Sequence, residues 1–303
     1  GEVIRDKRYA GTLAKRAAMV QKFAGEILFA LTGDGGVFNT KIAFVLKPGR
    51  EGEIYTVNFD GSDLTRFTQW KSLTLSPRWS PGGGYLTYTS YRDGNPDLYV
   101  QGYPGGGTKK IAAFSGLNLA GPWSADGQRM LLTLSRDGNH EIYVMSLEDG
   151  RLERLTHSAA IDVSPTLSPD GRSIAFVSNR SGSPQIYVMN REGGEVRRLT
   201  YEGGYNTSPS WSPKGDRIAF EARVGGSFQI HTIRVDGGDQ TPLTTDGGDH
   251  ESPSWSPDGR YIAFSTRGAG VSQICVMNAN GTGKRVLVEA PGCLAPAWSP
   301  RLP

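Results

Sequence analysis

Cysteine is nearly absent from this chain: Cys275 and Cys293 are the only two in 303 residues, too few and too unpatterned for a disulfide framework or a zinc site. No bridge between them is expected. Long apolar runs are missing too, and without a stretch of roughly 18 or more apolar residues a membrane-spanning helix is excluded. Charge of one sign is scarce: 33 Lys and Arg stand against 30 Asp and Glu, and the basic residues form no run. The electrostatic footprint of a nucleic-acid binder is therefore lacking. The opening GEVIRDKRYA has no charged-then-apolar secretory pattern, so the chain is cytoplasmic, mature, or a piece that begins inside a longer protein.

Catalytic signatures are also absent. There is no GxSxG elbow, HExxH pair, Walker loop or paired CxxC, and His140, His157, His231 and His250 fall in unrelated places. The glycine clusters at 34–36, 82–84 and 105–107 lack the strand-to-helix context of a phosphate loop and read as turns. No enzyme activity, cofactor or metal site is expected. What the chain does have is 41 Gly, 18 Pro and 10% aromatic residues against only 37% hydrophobic ones, the balance of many short strands between tight turns.

One phrase recurs: WSPDG, IAF, QIYVMN, RLT. Its IAF position begins at Ile42, Leu86, Met130, Ile174, Ile218 and Ile262, each 44 residues after the last. The same step separates Ile54, Leu98, Ile142, Ile186, Ile230 and Ile274, and again Phe67, Ile111, Leu155, Leu199, Leu243 and Leu287. Each unit holds four short β-rich segments bounded by Gly, Pro, Asp or Asn. Asp126-Gly127, Asp170-Gly171 and Asp258-Gly259 supply the turn between the first two. The expected fold is all-β: a six-bladed β-propeller with four-stranded antiparallel blades.

The first unit lacks its own first strand. Residues 295–300, APAWSP, are a complete first strand with nothing to follow it, and pairing with 41–46 would close the ring and remove the open edges. Trp79, Trp123, Leu167, Trp211, Trp255 and Trp298 share one position and read as core between blades. Ahead of the propeller, residues 12–32 place Leu13, Ala17, Val20, Phe23, Ala24, Ile27, Leu28 and Leu31 at helical spacing, with Gly33 as a stop. Glu2-Val3-Ile4-Arg5 could be a strand. One strand and one helix make no domain, so residues 1–35 are either the tail of a larger domain or a helix docked on a propeller spanning 36–303.

Thr74, Asn118, Asp162, Asn206 and His250 precede the first strands at the same 44-residue spacing, and Cys293-Leu294 occupy the sixth place. These groups differ while staying polar, which points to a contact surface at the mouth of the central channel. Arg92, Arg136, Arg180, Arg223 and Arg267 follow the second strands; pairing with turn carboxylates such as Asp93 and Asp137, or solvation, accounts for them.

The chain resembles the TolB family of the Tol–Pal system. FALTGDGGVFNTKIAFV (29–45), YRDGNPDLYV (91–100), SPDGRSIAFVSNRSGSPQIYVMN (168–190) and APAWSP (295–300) carry the likeness, which covers essentially the whole chain. The resemblance implies a monomeric, non-enzymatic periplasmic protein with an N-terminal α/β domain ahead of the propeller. It also implies binding to the lipoprotein Pal, to TolA and, in some bacteria, to colicins, in support of outer-membrane integrity and cell division. Most of that N-terminal domain is expected to lie outside this sequence, which puts TolA binding by this chain in doubt. Pal contacts carried over position by position fall on Leu117, Asn118, Ala120, Asp162, Val163, Asn206, Thr207, His250 and Glu251, with Thr74 in the same ring. A hydrolase or metal-dependent lyase built on the same scaffold is the alternative.

Overall fold

A computed structural model of the chain describes residues 8, 10, 12, 16–33, 35–268 and 270–302. Its strands form six antiparallel sheets of four, the blades expected from the repeat. The second strand of each blade is buried on both faces by its neighbours, which is why it reads as an unbroken apolar run; Ile42, Ala43, Phe44 and Val45 are all fully buried. One position within that strand holds Phe44, Tyr88, Leu132, Phe176, Phe220 and Phe264, all among the largest fully buried side chains. In blades one, four and five the outer strand dwindles to a pair of residues, as in Thr65–Arg66 and Arg197–Arg198, leaving little exposed edge there.

The shared tryptophan position acts as expected and also ties blades together. Trp79 donates from Nε1 to the Ala297 carbonyl at 3.0 Å, Trp123 to Thr87 Oγ1 at 3.2 Å, and Trp255 to the Ser210 carbonyl at 3.0 Å, each on the preceding blade. Turn chemistry follows the Asp-Gly pattern. Asp126 Oδ1 accepts from Ser124 Oγ at 2.5 Å and from Gln128 N at 2.9 Å, while Gly127 takes the left-handed φ of 71° that the turn requires.

Closure of the ring uses Cys293–Trp298, hydrogen-bonded to Lys41–Leu46 with Ile42 opposite Trp298 and Leu46 opposite Cys293. This strand begins and ends two residues earlier than the expected 295–300. The physical reason is Pro300, which has no N–H to extend the ladder beyond Ser299, whose own N–H reaches Lys41 O at 2.8 Å. Entry into the strand depends on Gly292, with φ at 78° and its carbonyl accepting from Lys47 N at 3.0 Å. A Cβ there would sit 1.9 Å from the Lys47 carbonyl oxygen.

Helix α1 spans Arg16–Thr32, within the expected 12–32, of which 13–15 lie outside the described residues, and ends at Gly33, whose N–H returns to Phe29 O at 2.8 Å. It rests on the propeller through Gly25, packed on Phe38, and through Gln21, which donates to Asp60 at 2.6 Å. Phe23, Ala24, Ile27 and Leu28 are partly buried, whereas Val20 and Leu31 are exposed together with Phe29. The strand expected at Glu2–Arg5, and Leu13, lie outside the described residues. No helix among the described residues is long and apolar enough to cross a membrane.

Candidate functional site

Each blade sends two connections to one end of the propeller: the loop that enters its innermost strand and the hairpin between its second and third strands. The register shows this, since Thr74 at the start of Thr74–Trp79 lies opposite Ser90 at the end of Tyr85–Ser90. The ring expected from sequence is therefore assembled at one mouth. Thr74, Asn118, Asp162 and Asn206 open the innermost strands of blades two to five, His250 is second in that of blade six, and Cys293 opens the closing strand.

These side chains point into the propeller wall. Thr74, Asn118, Asp162, Asn206 and His250 are all buried, each held by its own blade, its entering loop or, for Asn206, also the preceding blade. Asn118 Oδ1 accepts from Phe114 N at 3.0 Å while its Nδ2 donates to the Phe114 and Gly116 carbonyls at 2.8 and 3.2 Å, closing the loop before the strand. Asn206 repeats the device on the Glu202 carbonyl at 2.9 Å and also donates to Gln185 Oε1 at 2.8 Å. Asp162 accepts from Arg180 Nη2 at 2.8 Å. Thr74 and Ser90 share a hydroxyl contact at 3.2 Å, and His250 Nε2 lies 3.1 Å from Asp246 Oδ1. Their persistent polarity thus has a local cause: a buried strand entrance needs something to satisfy the loop backbone.

The accessible surface comes from their neighbours. Leu117, Val163, Thr207 and Glu251 are partly exposed, while Ala120 is buried. Burial pushes the Glu251 carboxyl above its usual range, with Glu221 and Asp249 adding to the effect and Arg267 opposing it. Glu221 bridges two blades by accepting from Thr207 Oγ1 and, at 2.8 Å, from Ser252 N. Beside Tyr205, the one aromatic residue that the sequence placed next to the rim and 37% exposed, the entering loops of blades four and five carry two apolar groups that sequence reasoning did not reach, Tyr201, 72% exposed, and Ile161, 42%; Glu221 was not reached either. Arg198 lies over the Tyr201 ring at 4.9 Å, and Tyr205 meets Phe228 edge-on at 5.7 Å, so both rings are held in place. Only their position just ahead of the strand entrances marks them in the sequence.

Of the arginines after the second strands, those of blades two, three and four pair and stack. Arg92 Nε is 3.6 Å from Asp93 and its guanidinium lies 3.9 Å over the Trp70 ring, and Arg136 is 3.4 Å from Asp137 and 4.7 Å over Phe114. Burial pushes both thiols, of Cys275 and Cys293, up to about 11, and both are free. Among the described residues no three His, Cys, Asp or Glu side chains converge as a metal site.

Burial also lowers the imidazole pKa values of His231 and His250, against the weaker pull of Glu202 and Asp246 respectively. With folded values below the unfolded 6.5, the unfolded chain takes up these protons first on acidification. Stability fully present above 6.5 is therefore lost as pH falls from 6.5 to the folded values. Urea denaturation across that window should show this decline, and a His231→Gln/His250→Gln chain should show a shallower one.

A closed six-bladed propeller with a polar, loop-built mouth is the class of protein these features define. The chain matches the TolB beta propeller domain family over residues 29–302 and belongs to it. The crystal structure of TolB from Acinetobacter baumannii superposes with a TM-score of 0.87 at 30% identity, covering 98% of this chain and 76% of that one. The Tol–Pal system protein TolB of Syntrophus aciditrophicus is 56% identical over 104 residues, 33% of this chain and 23% of that protein. The TolB of Desulfosudis oleivorans is 48% identical over 98 residues, 32% and 22% of the two chains. The chain thus aligns with under a quarter of the length of either curated relative.

Proposed function

We propose that this chain is a non-enzymatic protein-binding scaffold of the periplasm, acting in the Tol–Pal system by docking the lipoprotein Pal at the channel mouth. Its contribution to the cell would be outer-membrane integrity and constriction at division. The observation that carries this reading is the pairing of a rigid polar ring with exposed apolar anchors, Ile161, Tyr201 and Tyr205, on one side of the mouth. Aromatic groups held by their neighbours and rimmed by polar loops are what dominate protein interfaces energetically. The curated relatives with Tol–Pal names support the choice of system.

Contacts would come from the accessible parts of the predicted ring, namely Leu117, Val163, Thr207 and Glu251. Thr74, Asn118, Ala120, Asp162, Asn206 and His250 would hold those loops in shape from beneath. Residues 1–35 are read as the end of an N-terminal α/β domain and 36–303 as the propeller; the exposed Val20 and Leu31 of α1 support this division, sharing a helix face that such a domain would cover. TolA, through that domain, and colicins would be further partners.

Calorimetric titration with the soluble domain of the organism's own Pal tests the reading. Saturable one-to-one binding is expected, weakened about tenfold by Tyr201→Ala and by Tyr205→Ala, each close to 1.4 kcal/mol. Wild-type affinity in both variants would remove the anchors from the interface, and no binding by the parent chain would remove the reading.

A further inference from the structure

Two cavities lie along the propeller axis, and Arg78 borders both. One of about 380 Å³ is lined by Trp79, Trp123, Leu167 and Trp298 among others, and one of about 160 Å³ by Ser76, Ser164, Ser208, Ser252 and Ala295. At the level of Arg78 the other five blades carry Pro122, Thr166, Ser210, Ser254 and Ala297, so Arg78 places the sole charge there. A register irregularity in the innermost strands puts the four serines in left-handed conformations, with φ between 52° and 56°. Ala295, at the same position of the closing strand, has φ at 48°, so five blades share this strain, unusual for non-glycine residues, and it turns these residues toward the channel.

Arg78 has almost nothing to bond to. Its Nη1 donates to the Pro77 carbonyl at 3.1 Å, and among the described residues no carboxylate pairs with it. Surrounding protein lowers its pKa by desolvation alone, although some water still reaches it through the channel. A guanidinium keeps its charge in such a place, and an unpaired charge ringed by protein is costly until an anion joins it. The hydroxyls of Ser76, Ser164, Ser208 and Ser252 likewise make no hydrogen bond to protein among the described residues.

We propose that the propeller axis at Arg78 is a carboxylate-binding site, with the guanidinium fork taking the two oxygens and the serine hydroxyls completing the shell. Bidentate recognition suits Arg better than any other side chain. The carboxylate is either free in solution or presented by a protein docked at the mouth.

The test replaces chloride by formate at constant ionic strength and follows thermal unfolding of the full chain. Wild type should gain a saturable rise in Tm of about 2–4 °C. Arg78→Leu should show none, and Arg78→Lys, which keeps the charge but not the fork, a smaller one. Should Arg78→Leu fail to fold, Arg78→Gln serves in its place. No rise in wild type, or the same rise in the uncharged variants, overturns the site. A second arm, which alone rests on the docking reading above, adds formate to the Pal titration. Competition that Arg78→Gln abolishes assigns the natural occupant to a partner's carboxylate, and formate binding without competition assigns it to a free one.

Discussion

A chain ending at Gly292 will lose the single cooperative unfolding transition of the full-length propeller. The removed segment supplies the innermost strand of the first blade, and its absence leaves the ladder edge of Lys41–Leu46 bare. Ile42, Ala43 and Val45, now fully buried, would face water or another chain. Trp298 takes with it the bond from its Nε1 to Thr40 Oγ1 at 2.9 Å, and Trp79 loses the Ala297 carbonyl. Several large apolar side chains at roughly 1.5–3 kcal/mol each, added to lost ladder bonds, equal the whole margin of about 5–15 kcal/mol by which domains are stable. Circular dichroism against urea should show a broad or absent transition, with association through the open edge at higher concentration. A truncated chain that unfolds at the same midpoint with the same steepness would show that the ring does not depend on this strand.

The next largest effect is expected at Arg180, and it separates shape from contact at the mouth. Among the described residues Asp162 is fully buried, its Oδ1 has no hydrogen-bond partner, and Arg180 supplies the single ion pair, to Oδ2. Arg180→Leu strands that carboxylate and should cost about 3–4 kcal/mol, at the lower part of the range for breaking a buried pair because the arginine itself keeps some water. Asp162→Asn removes the buried charge along with the pair and should cost distinctly less. Urea denaturation of both variants measures the order. The reverse order, or two equal small losses, would mean that Asp162 is not an anchor of its loop. A loss of partner binding in either variant would then be traced to the altered loop, not to a missing contact.

The architecture was legible because a propeller repeats its core: the apolar positions recur every 44 residues, as from Ile42 to Leu86 and Met130. Side-chain direction at the mouth was harder to read. Strand alternation assigns faces only while the register is unbroken, and the shift between Leu75 and Arg78 breaks it. Thr74 consequently turns into its blade while Ser76 and Arg78 line the channel. The repeat gathers the ring at one mouth, but its polarity comes from capping the strand entrances. Tyr201 and Ile161 carry no periodic signal at all, since loops have none. Arg78 did leave a trace, as the one charged side chain among Pro, Thr, Ser and Ala at its position, visible once the blades are aligned on each other.

The most direct test of a binding mouth is hydrogen–deuterium exchange of this chain with and without saturating soluble Pal domain. Protection is predicted in the entering loops at 158–163, 201–207 and 246–251, with unchanged exchange in the turns at the opposite end, 125–128, 169–172 and 257–260. Protection confined to those turns, or to α1, would contradict docking at the channel mouth.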